Sequence, residues 1–189
     1  MDEAVRARQA PIVFLDRDGV ICRYLANDFT KSWEEFEFLP GAREALRLLN
    51  QAGAKVIIAS NQSGVNKGIY SGDKLAEIDC KMKEAVAAAG GRITAAYYCP
   101  HTSEEGCSCR KPGAGLVEKA ALDLHLDLEK SAAYFVGDAE TDIVAGHKTG
   151  LVTILVLSGK TILAEETNPW PIKPDHIAPD LMGALKYIL

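Results

Sequence analysis

Asp16 and Asp18 stand two positions apart in Asp16-Arg17-Asp18-Gly19, directly behind the apolar run Ile12-Val13-Phe14-Leu15. A short β-branched and aromatic run broken by glycine reads as a buried strand ending in a tight turn. In open α/β sheets, ligands bind at the carboxyl ends of strands. Two carboxylates at such an end repel each other and are costly to desolvate, and a bound cation or a shared proton removes that cost. The pair is therefore a candidate metal site in which one carboxylate attacks as a nucleophile. The same residues also suit an ordinary strand-end turn, so the remaining strand ends must decide.

A second run, Lys55 to Ser60, ends in Ser60-Asn61-Gln62-Ser63-Gly64. A hydroxyl followed by a polar turn offers a phosphate one O–H donor and several backbone N–H groups. Arg110-Lys111-Pro112-Gly113 precedes a helical pattern, with a bidentate fork and a point charge that both suit a phosphoryl group. Val136-Gly137-Asp138 repeats the design of an apolar strand, a glycine and an acid, and Asp142 follows four residues on. Asp138 can complete an all-oxygen site with Asp16, which suits Mg²⁺, while Asp138 and Glu140 also suit a helix N-terminus. Paired acids, a hydroxyl, a lysine and another acid in this order describe phosphoryl transfer to an aspartate.

Cys99, His101, Cys107 and Cys109 lie within eleven residues and form a closed Cys₃His set, the donor set of structural Zn²⁺. Five cysteines make an odd number, so metal ligation is expected over a disulfide framework. Cys22 and Cys80 are left over, and Cys80 falls in a helical pattern that places it in the core.

The elements that must position these groups alternate. Strands are expected at 12–15, 55–60, 93–99, 132–136 and 153–157. Helices are expected at 41–51, 71–89, 115–126, 140–148 and 180–189. Ser71 reads as an N-cap and Gly53 as a helix stop. Residues 167–179, with Pro169, Pro171, Pro174 and Pro179, read as an extended connection. Strands separated by helices imply a three-layer, Rossmann-like, doubly wound α/β fold with a parallel sheet and right-handed crossovers. The 189 residues are read as one domain, 1–189, with 48% hydrophobic and 25% charged residues. A net charge of −5 gives no footprint for nucleic acid or a membrane surface. Met1 to Pro11 has no apolar stretch of a secretory signal, and no run reaches the length of a membrane span. A cytoplasmic monomer is expected.

The order Asp16-x-Asp18-Gly19, Ser60-Asn61, Lys111-Pro112 and Gly137-Asp138 with Asp142 resembles the haloacid dehalogenase superfamily of phosphotransferases over nearly the whole chain. The resemblance implies Asp16 as nucleophile and Asp18 as general acid and base. It implies Ser60 and Lys111 on the phosphoryl oxygens, and Asp16, the Asp18 carbonyl and Asp138 on Mg²⁺, with Asp142 as a supporting acid. The zinc-type cluster at 99–109 running into Arg110-Lys111-Pro112 is similar to the zinc-containing heptose bisphosphate and histidinol-phosphate phosphatase group. So are Asp16 to Ile21, Glu37 to Gly41 and Asn61 to Val65. That likeness implies a zinc-binding loop at the substrate mouth and no large cap domain. Ala139 stands where the group often has a lysine near the metal, and residues 24–36 depart from its usual pattern. The implied activity is a Mg²⁺-dependent phosphomonoesterase acting through an aspartyl-phosphate on a small phosphorylated metabolite, with D-glycero-D-manno-heptose 1,7-bisphosphate first. Asn61, Gln62, Ser63 and Arg110 are the expected substrate-binding residues, with Arg110 beside a second phosphate or a hydroxyl-rich leaving group. The alternatives are a histidinol-phosphate phosphatase, with Glu34, Glu35 and Glu37 facing the substrate ammonium, and a catalytically silent zinc-stabilised phosphate-binding module.

Overall fold

The computed structural model describes residues 10–189. The reading of the stretch before Ala10 lies outside them. Ten elements of sheet and α-helix alternate: β1 (Ile12–Leu15), α1 (Ala42–Gln51), β2 (Lys55–Asn61), α2 (Gly72–Ala88), β3 (Ala95–Cys99), α3 (Gly115–Asp123), β4 (Ala133–Gly137), α4 (Glu140–Lys148), β5 (Val152–Val156) and α5 (Leu181–Ile188). An eleventh, β6 (His176–Ala178), enters before α5. All neighbouring strand pairs are parallel, in the order β3-β2-β1-β4-β5-β6.

Alternation along the strands makes the three layers. Val13 and Leu15 of β1 share a buried cluster with Val56, Ile58, Val136 and Ile154, covered by α1, α2 and α5 through Leu46, Leu49, Met82 and Leu185. Ile12 and Phe14 point the other way, with Ile57 and Phe135, under α3 and α4 through Leu116, Ala120 and Ala145. A strand covered on both faces reads as a continuous apolar run, and β1 is buried at every position.

The sheet order carries the functional consequence. The chain winds outward from β1 to β2 and β3, then returns to β4 on the other flank of β1. This reversal leaves a crevice beyond the carboxyl ends of β1 and β4, where open α/β sheets bind ligands. Leu15 pairs with Val136 and with Ile58, so Asp16, Asp138 and Ser60 emerge side by side at that end.

Three expectations need correction. Residues 176–178 are the edge strand β6 and not connection, pairing His176 with Ile154 and Ala178 with Val156. Three residues between Pro174 and Pro179 are too few for a period of two to show, and prolines at an edge strand's limits break no ladder. Helix α3 stops at Asp123, where His125 takes a left-handed φ of 50° without the glycine that usually marks such a stop. Cys80 is exposed, because α2 turns Leu75, Ile78, Met82 and Val86 inward and leaves Cys80 on the opposite face. Ser71 does cap α2, accepting from the Lys74 N–H at 3.2 Å, and Gly53 (φ 75°) follows α1. Among the described residues, no helix is long and apolar enough to cross a membrane.

Candidate functional site: a carboxylate cleft beside a thiol cluster

Asp16 is the first residue past β1, and its backbone N–H continues the ladder to the Val136 carbonyl at 3.0 Å. This fixes the start of the side chain. Lys111 Nζ lies 3.0 Å from Asp16 Oδ2 and 2.5 Å from Asp142 Oδ1, and it sits 5.5 Å from the centre of the Phe135 ring. Both ends of the Asn61 amide hold the Lys111 backbone. Asn61 Oδ1 accepts the Lys111 N–H and Asn61 Nδ2 donates to its carbonyl, each at 3.0 Å. A flexible lysine is thereby delivered from a loop to the Asp16 carboxylate with little freedom left. Burial alone would favour the neutral amine, but the Asp142 and Asp16 charges outweigh it and hold the Lys111 pKa above the usual lysine range.

Asp138 emerges from β4 on the other side. Its Oδ2 accepts the Lys160 backbone N–H at 2.6 Å. Gly19 (φ 84°) and Gly159 close around the same carboxylate, and a Cβ on either would come within 2.1 Å of Asp138 Oδ2. Asp142 lies in the first turn of α4, with Oδ2 taking the Ala139 N–H at 3.0 Å and Oδ1 facing Lys111. Carboxylate oxygens of Asp16, Asp138 and Asp142 lie within 4.8 Å of one another. Burial raises Asp16 to about 6 against the pull of Lys111, and burial with the Asp142 and Asp16 charges pushes Asp138 well above the usual range. Three buried acids facing one lysine are short of positive charge. Asp16 and Asp138, at the ends of neighbouring strands, offer hard oxygens that fit a small divalent cation.

Asp18 is held differently. Arg17, only 1% exposed, straddles its carboxylate with Nε to Oδ2 and Nη2 to Oδ1, both at 3.1 Å. Gln62 Nε2 donates to Oδ2 at 2.7 Å. Burial would raise the Asp18 pKa, but the Arg17 charge and these hydrogen bonds bring it below the ordinary value. Gln62 Nε2 also reaches Ser60 Oγ at 3.1 Å. Gln62 and Ser63 are buried, and the Gln62 backbone N–H donates to the Cys99 carbonyl at 2.7 Å, which ties the turn to β3.

Asp16, Asp18, Ser60, Lys111 and Asp138 line one open cleft of about 460 Å³, together with Tyr24, Phe29, Thr30, Arg110 and Lys160. The sequence reading did not single out Arg17, Tyr70, Lys67 or Lys160. Arg17 carried a signal, because a cation between two acids at a buried strand end must pair with one of them. Tyr70 and Lys160 reach the site only through loop geometry.

Beside the cleft, Cys99 Sγ lies 3.6 Å from Cys107 Sγ and 3.2 Å from Cys109 Sγ, and His101 Nδ1 is 3.4 and 3.3 Å from Cys99 and Cys109. Tetrahedral zinc with thiolate bonds of about 2.3 Å sets its donors somewhat under 4 Å apart, so the four donors fit that ion. A disulfide needs sulfurs at about 2.05 Å, and all five cysteines are free. Burial pushes the Cys99 thiol up to about 12. Cys107 is brought down to about 7, where the Arg110 N–H and the neighbouring thiols outweigh desolvation. Arg110 Nη1 donates to the His101 carbonyl at 3.0 Å, which couples the basic loop to the thiol cluster.

Comparison with known proteins agrees with this arrangement. The HAD-hydrolase-like family model matches residues 108–184. The D-glycero-beta-D-manno-heptose-1,7-bisphosphate 7-phosphatase of Pseudomonas putida is 38% identical over 149 residues, 79% of this chain and 83% of the relative. The D-glycero-D-manno-heptose-1,7-bisphosphate 7-phosphatase of Chlorobaculum tepidum is 34% identical, covering 95% of each chain. The crystal structure of the D,D-heptose 1,7-bisphosphate phosphatase from B. bronchiseptica, complexed with magnesium and phosphate, superposes with a TM-score of 0.86 at 32% identity, over 94% of this chain and 97% of that one. With the acids, lysine and hydroxyl gathered at the β1/β4 switch point and relatives matching along most of its length, the chain belongs to the haloacid dehalogenase-like hydrolases and is a phosphatase.

Proposed function

We propose that the chain is a Mg²⁺-dependent phosphomonoesterase that hydrolyses D-glycero-D-manno-heptose 1,7-bisphosphate through an aspartyl-phosphate on Asp16. The observation that carries the chemistry is the convergence of Asp16, Asp18, Asp138 and Lys111 on one cleft at the switch point. The sugar bisphosphate rests on the relatives' substrate and on a cleft open and polar enough for it.

In the first half-reaction an Asp16 carboxylate oxygen attacks phosphorus in line. The bond to the leaving oxygen breaks, and Asp18 supplies that oxygen with a proton. In the second, a water oxygen attacks the phosphorus of the aspartyl-phosphate. The bond to Asp16 breaks, the water proton passes to Asp18, and inorganic phosphate leaves. Lys111 and Ser60 Oγ hold the phosphoryl oxygens, and most of the rate enhancement comes from this positioning and charge. Asp16, the Asp18 carbonyl and Asp138 would hold Mg²⁺, which when bound neutralises phosphoryl charge. Attack requires Asp16 ionised, and the neighbouring Lys111 charge favours that form.

Cys99, His101, Cys107 and Cys109 would hold Zn²⁺ and set the loop that carries Arg110 and Lys111. Arg110, which lines the cleft, then faces the second phosphate. Cysteines gathered as a metal-type donor set, and not as a disulfide framework, support a cytoplasmic protein. Nothing in the geometry favours a histidinol phosphate: Glu34, Glu35 and Glu37 stay out of the cleft, and Glu35 and Glu37 pair with Lys31 and Arg23. Turnover against a panel containing heptose 1,7-bisphosphate, its monophosphate and histidinol phosphate tests the reading. Preference for the bisphosphate is the expected result, and preference for histidinol phosphate would overturn the substrate.

A further inference from the structure

Asp18 is enclosed by more structure than two proton transfers require. Arg17 is among the largest fully buried side chains of the protein, and it is charged. A buried guanidinium is tolerated where it is paired and hydrogen-bonded, and the partner here is Asp18, held by the planar fork. Arg17 Nη2 also donates to Gln62 Oε1 at 2.9 Å, and the Tyr70 hydroxyl donates to the same oxygen at 2.6 Å. Two donors on Oε1 settle which way the Gln62 amide faces, because an oxygen must meet them. The NH₂ end is thereby turned to Asp18 Oδ2, at 2.7 Å. Tyr70 is itself fixed. It is 7% exposed, its ring lies 6.2 Å from that of Phe29, and it presses on Gly64, where a Cβ would come within 2.3 Å of Tyr70 Cε1.

We propose that Arg17, Gln62 and Tyr70 form a positioning device for Asp18, in which Tyr70 orients the Gln62 amide and the amide, with the Arg17 fork, fixes the carboxylate where it meets the attacking water. None of the three touches the reacting atoms. The inference rests on the reading of Asp18 as the proton-transfer residue. It assigns Gln62 a role through Asp18 in place of direct substrate binding. Its consequence falls on hydrolysis of the aspartyl-phosphate. There water is activated only by a carboxylate within hydrogen-bond reach, and a side chain free to swing spends most of its time elsewhere.

The test uses the whole protein with Mg²⁺ and 4-nitrophenyl phosphate, whose phenolate departs with little help from an acid. Tyr70→Phe and Gln62→Met are compared with Asp18→Asn, each checked for a wild-type fold by circular dichroism. Slow hydrolysis of the intermediate should lower kcat by about fivefold in Tyr70→Phe and by tenfold or more in Gln62→Met, inside the range general-base catalysis supplies. KM should fall in parallel, so that kcat/KM stays within about threefold. Rapid mixing should then show a burst approaching one 4-nitrophenol per protein. A merely structural role would lower kcat at constant KM with no burst. That result, or unchanged constants in both variants, overturns the inference when Asp18→Asn does give a burst. If Asp18→Asn gives none and still turns over, the reading of Asp18 falls and the positioning device falls with it.

Discussion

Replacing Gly19 by alanine probes the metal site without touching a ligand. Gly19 has φ 84°, a backbone region that costs an L-residue roughly 1–2 kcal/mol. The added methyl would sit 2.1 Å from Asp138 Oδ2 and 2.5 Å from its Cγ. Ordinary contact begins at 3.4 Å, so the carboxylate must retreat by more than about 1 Å, against a tolerance of about 0.2 Å for metal–ligand distances. Gly159→Ala makes the same 2.1 Å approach without a left-handed backbone, and its methyl also meets the Gly19 Cα at 2.6 Å. Both variants should therefore raise the Mg²⁺ concentration for half-maximal turnover by about 10–100-fold, the scale seen when the support of a ligand is lost. The left-handed backbone of Gly19→Ala lowers its Tm by about 2–8 °C, at about 2–4 °C per kcal/mol for a chain of this size. Magnesium titration of the activity and calorimetric Mg²⁺ binding read the first effect, and scanning calorimetry the second. If both variants fold and titrate with Mg²⁺ like the wild type, Asp138 is not a metal ligand and the reasoning is wrong.

Protein purified without added metal should hold close to one zinc per chain. Cys107→Ser should lower that content and loosen the loop carrying Arg110, as elemental analysis and hydrogen exchange would show, because structural zinc contributes folding energy directly. A mild chelator should stop turnover reversibly while leaving the zinc in place, since thiolates prefer it and Mg²⁺ binds weakly. Lys111→Met should lower kcat by at least about 10²–10³ for every substrate. It should also destabilise by roughly 3–5 kcal/mol, because it strands the buried Asp142, and denaturant unfolding measures that loss. Arg110→Ala should raise KM for a bisphosphate far more than for an aryl phosphate, and equal effects on both would contradict its place beside the second phosphate.

Much of the site was legible because each chemical group follows an apolar run. Leu15, Asn61 and Gly137 end strands whose interiors are largely buried, so Asp16, the turn after Ser60 and Asp138 had to emerge at one end of one sheet. The Cys₃His donors were legible from residue type and closeness alone. Partnerships across the chain were not. The Asn61 amide clamps a backbone 50 residues away, and Asp142 sits on Lys111. Such pairings depend on how loops return over the sheet, which no local period encodes. The edge strand β6 was missed because three residues between prolines carry no pattern. Cys80 was misplaced because its helix turns only one stripe inward.

The central claim is that Asp16 becomes phosphorylated. Asp18→Asn should slow the second half-reaction and let that species accumulate. The most direct measurement is acid-quenched mass spectrometry of Asp18→Asn mixed with substrate and Mg²⁺. The account predicts one phosphoryl group on the peptide that carries Asp16, and none when Asp16→Asn is added to the same chain. A phosphoryl group on another residue, or turnover by Asp16→Asn at the wild-type rate, would contradict it.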